Sequence, residues 1–264
     1  MKNSGAKLSD VQSIYSGVVR DLWVLCMGQQ VHAGGMMSSM ELAKSAGIKE
    51  GMYGADLCSC IGAGTRFLAK NFKVKMDGID ATASAVVKAR EEAKAEKLDS
   101  ALKYIEADVT KIPVEAGKYD FVWGEDAWCY VEDKDKLISE AARILRPGGT
   151  IAFTDWIDGP KGLTDEEAFR INDFMKFPYM ESLEGYKNLL TKHGFEVKEA
   201  VYIPFAKYVD LYLTMLTEQH TYDALRLIGD DMAMFQAMGA EFGFIQQKAH
   251  EDKITRGRFV AVKR

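Results

Sequence analysis

With 264 residues, 47% of them hydrophobic, the chain can bury the core of one elaborated domain or of two small ones. A net charge of −5 excludes the basic face that nucleic acid or an anionic membrane would need. No apolar run approaches the ~20 residues of a membrane span, so neither nucleic acid nor membrane is expected as a partner.

The opening MKNSGAKLSD has no apolar stretch behind its lysines and reads as lacking a signal peptide, which makes a cytoplasmic location the expectation. Four cysteines (Cys26, Cys58, Cys60, Cys129) read as reduced thiols, and no His/Cys pairing has metal-site spacing, so no metal is expected.

Residues 1–50 read as a helical N-terminal cap. VQSIYSGVVRDLWVLC carries apolar positions at three- and four-residue spacing, GQQVHAGG interrupts it as a turn or clamp, and MSSMELAKSAGI supplies another helix capped by Ser38 or Ser39. The pattern then alternates. YGADLCSCIGAGTRFLAK predicts a strand ending at Asp56–Leu57, a tight loop, and a helix beginning near Gly62. Strand VKMDGID, helix ATASAVVKAREEAKAEK, strands ALKYIEAD and YDFVWGED, helix DKLISEAARILRP and strand GTIAFTDW follow.

Such alternation implies an α/β doubly wound, mostly parallel sheet, with ligands beyond the carboxyl ends of the strands. Residues 51–160 are expected to form this core. Residues 161–264 read as a lid plus the final sheet strands: two helices, strand FEVKEAVYIP, a Met- and aromatic-rich helical stretch over 209–247, and closing strand RGRFVAVKR.

The strand ends carry Asp56, Asp80, Asp108 and Glu125–Asp126, and carboxylates are costly to cluster without a partner. The loop after the first strand offers free N–H groups and a positive helix end, but Cys58 and Cys60 stand where a G-x-G-x-x-G would have glycines. Asp80, about 20 residues beyond that loop, suits both ribose hydroxyls of a nucleoside; it suits a helix N-cap as well. Asp108 suits an adenine amino group or an ordinary strand-end turn. NAD would satisfy Asp80 equally, yet its pyrophosphate needs the missing glycines, so S-adenosylmethionine is favoured.

Taken in order, DLCSCIGAGTRFLA, VKMDGID, EADVTKIP, YDFVWGEDAWCYVEDK and LRPGGTIAFTDW resemble class I S-adenosylmethionine-dependent methyltransferases. With GQQVHAGG and RGRFVAVKR, the chain resembles the sarcosine/dimethylglycine and phosphoethanolamine N-methyltransferase branch. The resemblance implies a seven-stranded Rossmann-like sheet, with S-adenosylmethionine as cofactor and S-adenosylhomocysteine as product. It implies Asp56, Cys58, Ser59 and Gly62 around the methionine moiety, Asp80 and Ala81 at the ribose, and Asp108 and Val109 at the adenine. Val31 and His32 would fold over the cofactor, and Glu125 would sit where cofactor and acceptor meet. Asp126, Tyr130 and Tyr15 would form the catalytic group, Asp126 facing an acceptor amine.

Three departures stand out. Cysteines replace two motif glycines, Tyr130 stands where the branch commonly has a histidine, and FPYMES lacks the arginine used on a substrate phosphate. Trp128 and Trp156 are candidates to present ring faces to a methylated cation, Trp156 being the better fit to a plain core role. His193 in KHGF reads as a helix-end cap and MAMFQAM as core or lid packing.

The expected activity is methyl transfer to a small-molecule acceptor, favoured an amine nitrogen of a glycine/sarcosine-like compound. The alternatives are another nucleophile (thiol, phenol or arsenite) or a non-catalytic S-adenosylmethionine-binding protein. A lid of this size is compatible with a homodimer.

Overall fold

The computed structural model describes residues 3–264. Two short helices, α1 (Leu8–Tyr15) and α2 (Val18–Met27), replace the single amphipathic stretch expected at the N-terminus. The break falls at Ser16–Gly17, where extended Gly17 becomes the cap of α2. Helix α3 (Gly35–Ser45) begins about one turn earlier than Ser38 or Ser39 as its cap would set it. Its cap is Gly34, whose left-handed φ of 86° a glycine adopts without strain. Ser38 and Ser39 therefore lie inside the helix.

The core follows as β1 (Tyr53–Leu57), α4 (Ala63–Phe72), β2 (Lys75–Asp80), α5 (Ala83–Ala95), β3 (Leu102–Glu106), β4 (Tyr119–Glu125), α6 (Lys134–Ile144) and β5 (Leu145–Asp158). Helices α7 (Asp165–Met175) and α8 (Leu183–Lys192) precede β6 (Phe195–Ile203). The helical stretch expected over 209–247 is four pieces: α9 (Ala206–Thr214), a π-helical turn (Met215–Gln219), α10 (Thr221–Leu227) and α11 (Met232–His250). Gly229 and Asp230 both take positive φ before α11, and Asp231 caps it by accepting the Met234 N–H at 2.9 Å. Strand β7 (Ile254–Lys263) closes the chain.

The seven strands run in the order β3-β2-β1-β4-β5-β7-β6, and only β7 is antiparallel to its neighbours. This is the Rossmann-like methyltransferase arrangement. The order reverses at β1, between β2 and β4, which leaves a crevice at their carboxyl ends. Apolar clusters fill both faces of the sheet: Leu137, Ile138, Phe153 and Phe259 on one, Leu42, Phe67, Leu68 and Trp123 on the other. The helices after β6 pack back on the N-terminal ones, with the Trp23 and Phe242 rings edge-to-face at 5.4 Å. Among the described residues no helix is long and apolar enough to cross a membrane.

Candidate active site

A cavity of about 700 Å³ opens at the carboxyl ends of β1, β2 and β4 beneath residues 28–34. Tyr15, Val31, His32, Asp56, Cys58, Ser59, Asp80, Ala81, Asp108, Val109, Glu125, Asp126 and Tyr130 all line it. Gly62 does not. It caps α4 at a φ of 72°, where an added Cβ would lie 2.4 Å from the Tyr104 hydroxyl, and Gly64 lines the wall instead.

The loop after β1 is built on β2. The N–H groups of Cys58 and Ser59 donate to the Ile79 carbonyl at 2.8 and 3.2 Å, and the Cys60 N–H donates to an Asp80 oxygen at 2.8 Å. Cys58 and Cys60 adopt φ values of 65° and 48°, a conformation that glycine takes freely and a side chain resists. Val31 and Asp126 have positive φ too, so four strained residues line one cavity. Burial pushes the Cys60 thiol up to about 12 and holds Cys58 and Cys129 protonated as well, so none supplies a thiolate at neutral pH. Ser59 Oγ is buried and has no hydrogen-bond partner among the described residues.

The three aspartates differ in how they are engaged. Burial pushes Asp56 up to about 7, against the lowering effect of the Thr65 hydroxyl that donates to it at 2.6 Å. Asp80 is also raised by burial. Its two oxygens accept the Cys60 and Thr82 N–H groups, each at 2.8 Å, so it braces the loop and the start of α5 while lining the cavity. Asp108 accepts both the N–H and the hydroxyl of Thr110 at 2.8 Å, the geometry of a strand-end turn.

At the end of β4, Glu125 accepts the Ser39 hydroxyl at 2.8 Å and the Trp123 indole N–H at 3.1 Å. His32 Nε2 lies 3.1 Å from the same hydroxyl and 3.5 Å from Glu125. Asp126 is 7% exposed, and its carboxylate holds the Ala33 N–H at 2.8 Å and Arg256 Nε at 2.9 Å. Arg256 also donates to Thr154 at 3.1 Å and to Ser38 at 3.3 Å. Sequence reasoning missed Arg256 and the roles of Ser38 and Ser39. The available signal was the pair Arg256 and Arg258 at the start of a closing strand whose middle, FVAV, is apolar.

Tyr15 and Tyr130 meet edge-to-face at 5.2 Å, and Tyr130 meets Phe177 at 4.7 Å. Burial raises both phenols well above their ordinary value, so at neutral pH they are hydrogen-bond donors and not bases. The two tryptophans reverse the expectation. Trp128 is 0% exposed, stacked on Phe153 at 4.1 Å, and donates to the Leu57 carbonyl: it is core. Trp156 is half-buried and lines a second cavity. His193 ends α8 and lies 2.8 Å from Asp135.

A buried lysine was also missed. Lys134 Nζ donates to the carbonyls of Val131 and Tyr179 at 2.9 Å, and burial lowers it to about 8. Nearby Asp155, pushed up to about 6 by burial, accepts the Tyr186 hydroxyl at 2.6 Å.

Residues 55–153 match the family model of the methyltransferase domain. The chain is 30% identical over 154 residues to phosphoethanolamine N-methyltransferase 3 of Arabidopsis thaliana, covering 58% of this chain and 31% of that protein. It is 27% identical over 123 residues to sarcosine/dimethylglycine N-methyltransferase of Halorhodospira halochloris, 46% of this chain and 44% of the other. The match thus spans less than half the length of either relative. Haemonchus contortus phosphoethanolamine N-methyltransferase 2, solved with phosphomonomethylethanolamine and S-adenosylhomocysteine, superposes with a TM-score of 0.82 at 21% identity, covering 97% of this chain and 58% of that one. This chain therefore carries a methyltransferase domain at its core and has, across nearly its whole length, the fold of the S-adenosylmethionine-dependent methyltransferases.

Proposed function

We propose that the protein transfers a methyl group from S-adenosylmethionine to an amine nitrogen of a small molecule. The observation that carries this reading is the make-up of the large cavity. Among the described residues, Asp56, Asp80, Asp108, Glu125, Asp126, Glu132, Asp133, Asp135 and Glu181 line it against a single lysine, Lys134. Such a wall suits a ligand of net positive charge and repels a phosphorylated one. The residues fit the cofactor: buried Asp56 gains most from a cation, and orphaned Ser59 Oγ gains a partner. When bound, S-adenosylmethionine supplies an activated methyl group on a sulfonium.

In this reading Asp56, Cys58, Ser59 and Gly64 in the first turn of α4 hold the methionine end. Asp80 and Ala81 take the ribose on lone pairs that the Cys60 and Thr82 N–H groups leave over, and Asp108 and Val109 take the adenine. Val31 and His32 close the site, held by Glu125 through Ser39 and by Asp126 through Ala33. Asp126 thus fixes the clamp and turns its remaining lone pairs toward the acceptor amine. Tyr15 and Tyr130 orient the acceptor as donors and as ring walls. Orientation of this kind supplies roughly 7–11 kcal/mol of such a barrier.

The test is incubation with labelled S-adenosylmethionine and a panel of amines, thiols, phenols and arsenite, following S-adenosylhomocysteine and label together. Label in an amine is expected. Cofactor binding with no S-adenosylhomocysteine from any nucleophile would overturn the reading.

A further inference from the structure

A second cavity, of about 250 Å³, lies between the N-terminal helices and the helices after β5 and β6. Trp23, Trp156, Phe174, Phe205, Leu216 and Phe242 are among its walls. Packed interiors leave few voids larger than a water molecule, and an apolar void of this size does not hold water favourably. Leu216 belongs to the π-helical turn Met215–Gln219, a rare backbone form that recurs at functional sites. Met234 of α11 stands in the wall and is 37% exposed, so the space reaches solvent there.

The lining fixes the chemistry of an occupant. Among the described residues only Cys26, Lys176 and Tyr212 bring ionisable side chains to the wall. Lys176 pairs with Asp173 at 3.1 Å on the surface. Burial raises the Cys26 thiol to about 11 and the Tyr212 phenol above its ordinary value, so both are neutral. The interior therefore offers an ion nothing, and it suits a neutral apolar molecule. A cavity of about 150 Å³ lined this way accommodates benzene, so 250 Å³ has room for about ten carbons.

The packed rings of Tyr15, Tyr130, Phe177 and Trp156 divide this space from the large cavity, so its occupant is a separate molecule from cofactor and acceptor. What joins the two spaces is the clamp. The Tyr212 hydroxyl, on α9, accepts the Gly34 N–H at 3.1 Å and donates to the His32 carbonyl at 3.4 Å. Ala33 stands in the wall of the small cavity while Asp126 holds its N–H at 2.8 Å, and His32 lines the large one. Lifting residues 28–34 would take Ala33 out of the apolar wall and break both Tyr212 bonds. An occupant thus binds better with the clamp down than with it lifted, and that difference is what couples two sites.

We propose that the small cavity is an effector site for a neutral, hydrocarbon-like molecule of up to about ten carbons, whose binding tightens the clamp over the cofactor through Tyr212 and Ala33. This rests on the reading of residues 28–34 as closing over S-adenosylmethionine. The coupling is reciprocal: the cofactor tightens the effector by the same factor.

The experiment titrates n-alkylbenzenes from toluene to hexylbenzene into the protein, read by tryptophan fluorescence, since Trp23 and Trp156 line the cavity. Affinity is expected to rise by about fourfold per methylene and to level off near butylbenzene, with its ten carbons. Val19→Phe and Met238→Trp, filling the cavity from α2 and α11, should weaken butylbenzene at least tenfold while keeping a cooperative thermal transition. Butylbenzene should slow amide exchange at Ala33 and Gly34 with no cofactor present, and tighten S-adenosylhomocysteine at least fivefold by calorimetry. Tyr212→Phe keeps the ring in the wall and removes the hydroxyl. It should bind butylbenzene normally and lose most of that tightening.

Binding that ignores chain length, or two folded variants that bind butylbenzene normally, overturns the proposal. Binding that leaves the affinity for S-adenosylhomocysteine unchanged overturns it too, as does full coupling in Tyr212→Phe. Chain-length-dependent binding that slows exchange at Ala33 and Gly34, in a protein that binds no S-adenosylhomocysteine, supports the site and its grip on the clamp while the cofactor reading of the large cavity fails.

Discussion

Arg256 Nε lies 2.9 Å from the Asp126 carboxylate with both side chains almost fully buried, which joins the third-from-last residue pair of β5 and β7, Trp156 opposite Arg256, to the end of β4. Because Asp126 also holds the Ala33 N–H, this ion pair ties the closing strand to the clamp over the large cavity. Removing one partner of a buried pair leaves an uncompensated charge and costs about 3–5 kcal/mol. Arg256→Met is expected to lose stability of that order in urea unfolding, and Asp126→Asn combined with it should recover part of the loss. A loss below about 1 kcal/mol would mean the pair is solvated and the clamp is anchored elsewhere.

Asp56 gives a pH dependence with a definite sign. Burial pushes its carboxyl up to about 7, with Glu125 and Asp80 adding to the rise. The folded chain therefore holds a proton that the unfolded chain releases near pH 4, and stability declines as pH rises from about 4 through about 7. A cationic ligand reverses this, since it favours the ionised form. S-adenosylmethionine affinity is expected to increase between pH 6 and 8, measured by calorimetry, with Asp56→Asn flattening the profile. A profile unchanged in Asp56→Asn would assign the titration to another group.

The sheet was legible in the sequence because its signals are local. Alternating strand and helix periods, and acidic residues at strand ends, mark β1 to β5 to within a few residues. What was hidden depends on pairs far apart in the chain. Arg256 and Asp126 are separated by 130 residues, and Ser39 and Glu125 by 86. Ser38 and Ser39 looked like helix caps since serine is a preferred cap, but Gly34 supplies the left-handed turn earlier and leaves both hydroxyls for the site. Trp128 and Trp156 were exchanged for a related reason: whether a strand-end ring faces core or cavity is set by what packs on it. Phe153 covers Trp128, whereas Trp156 faces the N-terminal helices and those after β5 and β6.

Tyr130 separates two kinds of role. A phenol raised well above its usual value by burial, and in contact with Tyr15, is no base near neutral pH. Tyr130→Phe keeps the ring between the two cavities and is expected to change kcat by less than tenfold, with no shift in the pH profile of kcat/KM. Tyr130→Ala removes the ring and should raise the acceptor KM more than tenfold. A Phe variant that loses kcat by 100-fold or more would restore the phenol as an acid–base group.

Cys60 tests the strained loop. Its φ of 48° carries a left-handed penalty of about 1–2 kcal/mol for a side chain, and its N–H must still reach Asp80 at 2.8 Å. Cys60→Gly removes that penalty, offset by the greater freedom of the unfolded chain at about 0.4–1 kcal/mol. The expected outcome is a gain of about 0.5–1 kcal/mol, or a few degrees in Tm, with cofactor affinity retained. Cys60→Val adds a branched side chain in the same conformation and should lose at least about 1 kcal/mol. Cys58 is a less clean probe, because its side chain packs against the core cluster of Leu57 and Val109. If the glycine variant were instead the less stable of the two, the cysteine side chain itself, and not the backbone it strains, would be what the loop requires.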